Sequence, residues 1–284
     1  MRVSFSLALA LAAGMSAGLV SCSSTSGPPP LKPGTPAFFW AAANTAYKKG
    51  DFAAVIKNLG NLTGTENEYR LKARVWMMVV DAGLARGDME WADLLEDGGK
   101  KARTRQLEFR KRMNEARSAA AQSAMRVADL SHRMMPELKE DKIPVAFQVP
   151  DVNKDKPVEV EKIVKGLLPP AAEVEGMRSM MQKRGVLLSV ARFGDASGDV
   201  GKATAALSAP DATVTREAFQ TYLAGEFSEL ATVFAAKKLD HASRAKMMLE
   251  EGKAALTNVP ASPARTKLQK KIDEQLKKLP KMSS

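Results

Sequence analysis

Apolar residues in this chain first run together, then thin out, and from Ala37 onward recur at helical spacing. Val3 to Leu19 is an uncharged stretch of Leu, Ala, Val, Phe, Met and small residues behind Arg2, the layout a secretion leader needs. The run is broken by Gly14, Ser16 and Gly18 and gives way to Ser and Pro instead of basic anchors, which argues against a retained transmembrane span. Residues 22–36 set Pro28, Pro29, Pro30, Pro33 and Pro36 among Ser, Thr and Gly, too little apolar surface to order the segment, so a disordered tether is expected.

Beyond the tether, Ala, Leu, Met, Lys, Arg, Glu and Gln dominate and period-2 runs of β-branched residues are few, so the fold class is all-α. Apolar spacing predicts helices over 38–49 and 52–62, one long amphipathic helix over 100–138, a short one over 158–168, and others over 171–193, 216–238, 242–256 and 264–279. Pro136 marks the end of the long helix, and Pro144, Pro150 and Pro157 punctuate a connector with at most short extended pieces such as Val145 to Val149. The expected organisation is a leader (1–21), the tether (22–36), helical hairpins (37–99), a long basic helix (100–140), a Pro-rich connector with a short helix (141–170) and a C-terminal helical block (171–280).

A turn device recurs within the helical parts. Gly50-Asp51-Phe52 and Gly87-Asp88-Met89 lie 37 residues apart, with an aromatic eleven positions before each Gly (Phe39, Trp76) and a small or medium apolar residue four after each Asp (Val55, Ala92). Gly198-Asp199-Val200 repeats it with Leu187 and Ala203, and Leu239-Asp240-His241 is a poorer copy. Gly permits a tight turn, Asp suits the positive end of the next helix, and a small residue lets paired helices approach. The pattern resembles the tetratricopeptide repeat, although the spacings of 37 and 41 exceed that family's standard of about 34 and the two halves are not contiguous. That resemblance implies helical hairpins in two blocks, joined by the long basic helix and the Pro-rich connector.

The single cysteine falls at the end of the leader, in Leu19-Val20-Ser21-Cys22. This tetrapeptide resembles the lipobox of bacterial lipoproteins, with Val20 and Ser21 as tolerated variants of the commonest residues. The resemblance implies that the Cys22 thiol is alkylated by diacylglycerol, that 1–21 is cut away, and that the new amino terminus takes a further fatty acyl chain such as palmitate. Two or three chains at about 0.8 kcal/mol per buried CH₂ give stable anchoring without a span. Ser23 after the cysteine, where enteric lipoproteins would need Asp to be retained, implies an outer-membrane protein facing the periplasm.

Charge then changes meaning. With Arg2 removed the chain has 42 basic residues (43 less one) against 32 acidic, and an exported protein of that sign meets anionic lipid or envelope polymer; a nucleic-acid partner is not expected. The basic residues concentrate on the predicted long helix, where Lys100, Lys101, Arg103, Arg105, Arg110, Lys111, Arg112, Arg117, Arg126 and Arg133 form a candidate anionic contact face.

No catalytic, cofactor or metal site is expected. His132 and His241 stand alone, with no His-Glu-x-x-His and no Gly-x-Ser-x-Gly. The stretch Gly194 to Thr204 fails as a phosphate loop because Ala196 and Ala203 occupy the places of Gly and hydroxyl. It fails as a calcium loop because Val200 replaces the turn Gly and Ala206 the bidentate Glu, leaving a helix-to-helix turn. Paired methionines (Met77-Met78, Met180-Met181, Met247-Met248) read as core filling. The functional expectation is a lipid-anchored scaffold or adaptor that binds an envelope protein; the alternative is a binder of anionic polymer or lipid through the basic helix. A third reading, an envelope hydrolase, would need a pocket gathering His, Ser or paired carboxylates.

Overall fold

The computed structural model describes residues 31–149, 160–195, 197–235 and 238–280. The leader, Cys22 and most of the tether lie outside them. Of two compact units, Met1–Leu31 and Lys32–Ser284, the account below concerns the second.

The protein is helical, as its composition requires. Two hairpin helices, α1 (Pro36–Lys49) and α2 (Phe52–Thr63), precede α3 (Arg70–Lys101) and α4 (Gln106–Met134). A two-stranded antiparallel ribbon joins β1 (Lys142–Pro144) to β2 (Thr213–Thr215), with Ile143 opposite Val214. Between them come α5 (Glu161–Val164), α6 (Ala171–Gly194) and α7 (Val200–Ser208). After β2 follow α8 (Arg216–Leu230), a 3₁₀ turn (Ala231–Phe234), α9 (Ala242–Ala255) and α10 (Pro263–Lys278).

Local chemistry sets most boundaries. Thr35, Asp51, Asp199, Thr215 and Ser262 each accept an N–H of the first turn that follows, and Pro36 and Pro263 occupy first-turn positions where no N–H is needed. Gly50 closes α1 at φ 72°, and Gly198 at φ 74° precedes the Asp199 cap. Asp240 adopts φ 52° in the third turn of this kind, before α9. Gly87-Asp88-Met89, expected as a turn, instead lies inside α3.

That helix is the centre of the molecule. Its 32 residues span ~48 Å at a rise of about 1.5 Å per residue, and every residue from Ala73 to Ala85 is buried. A helix apolar all round must be covered all round. Helices α2, α4, α5 and α6 do so. The crossing with α6 is a backbone-to-backbone contact through three glycines. A Cβ on Gly83 would stand 2.3 Å from the Val186 Cα, one on Gly87 2.5 Å from the Met181 carbonyl oxygen, and one on Gly185 2.2 Å from the Gly83 carbonyl oxygen. Gly87 is therefore a contact glycine, not a turn glycine.

The expected helix over 100–138 also divides. Lys100 and Lys101 end α3, the chain turns at Ala102 to Arg105, where Arg105 takes φ 61°, and α4 starts at Gln106. Residues 165–168 back onto this corner: a Cβ on Gly166 would lie 2.7 Å from the Ala102 nitrogen.

The extended piece beyond β1 is part of the core. Val145 N–H donates to the Ala212 carbonyl (2.8 Å) and Phe147 N–H to the Leu207 carbonyl (3.0 Å). Phe147 stacks on Trp76 at 4.4 Å and meets Tyr47 edge-on, while the Trp76 indole N–H donates to the Val145 carbonyl at 2.8 Å. Asn44 Oδ1 accepts the Gln148 N–H at 2.8 Å, so a connector that reads as polar from its prolines is pinned at both backbone and ring. Main-core residues run from Ala43 to Ile272, and a smaller cluster including Trp91, Leu95, Phe109 and Ile163 fills the α3–α4 corner.

Candidate functional site

Helix α8 carries Phe219, Leu223 and Phe227 inward, and on the same buried side Glu226 is 1% exposed. A carboxylate on an apolar stripe needs charge partners. Arg86 of α3 supplies Nη2 at 2.9 Å and Arg192 of α6 supplies Nη1 at 3.5 Å, so three helices meet through one group. Four residues earlier on α8, the buried Tyr222 hydroxyl lies 2.7 Å from Ser189 Oγ. Burial, and then the Glu226 charge, hold the phenol well above its ordinary pKa despite the Ser189 hydrogen bond.

Two cavities flank this helix. The larger, about 920 Å³, is a cleft between the end of α6 (Arg192 to Asp195), β2, the outer side of α8 and the start of α10 (Ser262 to Lys271). The smaller, about 340 Å³, lies towards α3 and is lined by Ala82, Arg86, Met89, Asp93, Leu230 and Lys238, among others. Lys238 and Asp93 form an ion pair at its wall. Glu229 lines both cavities and accepts from Lys271 Nζ at 2.6 Å. Burial pushes the Glu229 carboxyl up, but Lys271, Arg192 and Arg86 outweigh it and leave the group below its ordinary value.

The cleft does gather carboxylates, Asp195, Glu217, Glu226 and Glu229, together with Ser262. Glu226 is held by two guanidinium groups, and the cations around Glu229 favour its charged form. His132 is 80% exposed on α4, with Nδ1 3.5 Å from Glu251, and His241 is exposed at the start of α9. Among the described residues no group of three or more His, Cys, Asp or Glu side chains is placed to hold a metal ion. No described helix is long and apolar enough to cross a membrane. Asp195 accepts the N–H groups of Ser197 and Asp199 at 3.0 Å each, which makes the 194–204 stretch a cap between α6 and α7. The Ser197 side chain, then the Asp199 N–H, hold Asp195 below its ordinary pKa.

The ten basic residues do not form one face. Arg117 is buried with Nη2 2.5 Å from Glu96, whereas Arg126 binds the fully buried Asp81 at 2.6 Å and keeps its side chain 42% exposed, so both pair with α3 but only Arg117 is withdrawn from the surface. The reason is that α3 sets carboxylates opposite them, Asp81 inside the core and Glu96 at its edge, which a reading of α4 alone does not reveal. Burial still lifts Asp81 above its ordinary pKa against Arg126 and Ser123, and does the same to Asp88 against Arg178 and Gln182. Arg105 pairs with Glu108 and donates to the Leu168 carbonyl at 3.0 Å; Arg112 reaches Glu108 at 3.4 Å; Lys100 bridges Glu96 and Asp97 at 3.2 Å each. Lys101, Arg103, Arg110, Lys111 and Arg133 are exposed. The first four gather at the α3–α4 corner, and Arg133 lies ~33 Å further along α4 at about 1.5 Å per residue. Cys22 lies outside the described residues.

Comparison of this chain with protein-family models, curated proteins and solved structures finds no match. Arg192, Tyr222, Glu226 and Glu229, which wall the cleft, and Arg86 of the smaller cavity were not singled out by sequence. Their signal was present: Glu226 interrupts the apolar series Phe219, Leu223, Phe227, Leu230, as Asp81 interrupts Val75 to Ala85.

Proposed function

We propose that this protein is a lipid-anchored component of a bacterial cell envelope, held at Cys22, whose helical body is a scaffold or adaptor for another envelope protein. The anchor rests on Leu19-Val20-Ser21-Cys22 and the Pro-rich tether. Tetratricopeptide-like hairpins are the finer reading of the body, supported by the α1–α2, α6–α7 and α8–α9 pairs and by turns carrying Gly50, Gly198 or Asp240 at positive φ.

One observation carries the adaptor reading above the others. The cleft of about 920 Å³ is walled by ion-paired side chains between three helices, a surface suited to an extended polypeptide with both signs of charge. A photo-crosslinking residue at Thr221 or Lys267 in intact cells should capture a discrete envelope protein, and one at the remote Thr257 should not. Equal capture from all three positions, or none from the cleft, would refute the assignment. A second reading, contact with anionic lipid or polymer, draws support from the exposed cations at the α3–α4 corner.

A further inference from the structure

The two most exposed large apolar side chains among the described residues are Leu107, 78% exposed, and Leu167, 60% exposed. They are 60 residues apart in sequence, yet both stand on the α3–α4 corner. Leu107 is in the first turn of α4, and Leu167 follows Gly166, which lies against Ala102; next to it, the Leu168 carbonyl accepts from Arg105 at 3.0 Å. Scattered surface leucines carry no meaning alone. Here they coincide with a concentration of positive charge: residues 97–113 and 161–168 together hold nine Lys and Arg against three Asp and Glu. Among the described residues, Lys101, Arg103, Arg110 and Lys111 have no ion-pair partner. Beside them a depression of about 300 Å³ is floored by Leu95, Phe109 and Met113 and rimmed by Lys100 and Arg110.

From this coincidence we infer that the corner docks on an anionic phospholipid bilayer, with Leu107 and Leu167 entering the headgroup boundary and the free cations meeting lipid phosphates. A soluble polyanion would use the cations and leave both leucines in water; a bilayer satisfies both. The inference rests on the second reading above and narrows it from a whole helix to one corner and one surface. The tether joins α1, whose Trp40 stacks on Tyr69 beside the start of α3, whereas the corner lies at the other end of that helix. The corner is a membrane contact additional to the acyl anchor proposed at Cys22.

The full chain carrying Cys22→Ser and Leu107→Cys, labelled at residue 107 with an environment-sensitive dye, tests this. The leader could carry the chain to any bilayer, so the readout must be local. Vesicles of phosphatidylglycerol and phosphatidylethanolamine should shift the dye emission to the blue and brighten it several-fold, and phosphatidylcholine vesicles should not. The same dye at Leu188→Cys should stay silent. Arg103→Glu, Arg110→Glu and Lys111→Glu together should abolish the response, each lost cation weakening binding about fivefold. Charge-dependent sedimentation with vesicles without a shift at residue 107 would overturn the corner and keep the broader anionic reading; no charge-dependent association at all would overturn both.

Discussion

Gly185→Ala is the sharpest test of the packing described here, because local and tertiary effects predict opposite signs. In a helix interior Ala is favoured over Gly by about 1 kcal/mol, so the substitution would stabilise α6 if nothing lay against it. At Gly185 the new methyl would stand 2.2 Å from the Gly83 carbonyl oxygen, 2.7 Å from the Gly87 nitrogen and 3.0 Å from the Gly87 Cα. Carbon contacts are comfortable near about 3.5 Å, so α3 and α6 must separate by roughly 1 Å, and no flexible side chain can yield in place of backbone. Overpacking of this kind costs about 1–3 kcal/mol, and a clash with three backbone atoms belongs at the upper end. The net expectation is a loss of about 2 kcal/mol. Gly176→Ala on the same helix, with nothing within 4 Å of its would-be Cβ, is the control and should gain about 0.5–1 kcal/mol. Urea denaturation, read as a midpoint shift at constant slope, should separate the two variants by nearly 3 kcal/mol. If Gly185→Ala matched or exceeded the unsubstituted protein in stability, the glycine crossing would be wrong.

Arg126→Met should cost about 2–3 kcal/mol, below the about 3–5 of a fully buried pair because Arg126 is itself partly open to solvent, and adding Asp81→Asn should recover much of it. Asp81 has a raised pKa when folded, so its uncharged form is favoured; in Arg126→Met the penalty should shrink as pH falls toward the carboxylate range and be full at neutral pH, as chemical denaturation at several pH values would show. Glu229 titrates in the opposite sense: held below its ordinary value, it lends stability above about pH 4 that is lost as pH falls through its folded value, so Glu229→Gln should flatten the acid limb of the stability profile. Phe147→Ala should cost about 3–5 kcal/mol and change Trp76 fluorescence; a shift under about 1 kcal/mol would mean that the connector does not complete the core.

Helix ends were largely legible because they depend on neighbours in sequence. The predicted segments 38–49, 171–193, 242–256 and 264–279 match α1, α6, α9 and α10 within two residues, and the caps Thr35 and Ser262 with the prolines Pro36, Pro170 and Pro263 are local features of three of them. Gly87-Asp88 misled because the same dipeptide that turns the chain at Gly50 is demanded here by a helix from another part of the chain. Likewise Arg117 and Arg126 look unpaired until the carboxylates of α3 are opposite them, and Phe147 looks like connector until Trp76 is beneath it. The exposed cations Lys101, Arg103, Arg110 and Lys111 were found by composition alone. Their association with Leu167 was not, since only the fold brings residues 160–168 to that corner.

The central claim is that Cys22 fixes this helical body to an envelope membrane. Mass spectrometry of the mature amino-terminal peptide, taken from the membrane fraction of cells making the protein, tests it most directly. A peptide beginning at Cys22 and carrying diacylglycerol with a further acyl chain is the predicted result, absent in Cys22→Ala. A mature chain that retains Met1 to Ser21, or one that begins elsewhere with an unmodified Cys22 thiol, would contradict the claim.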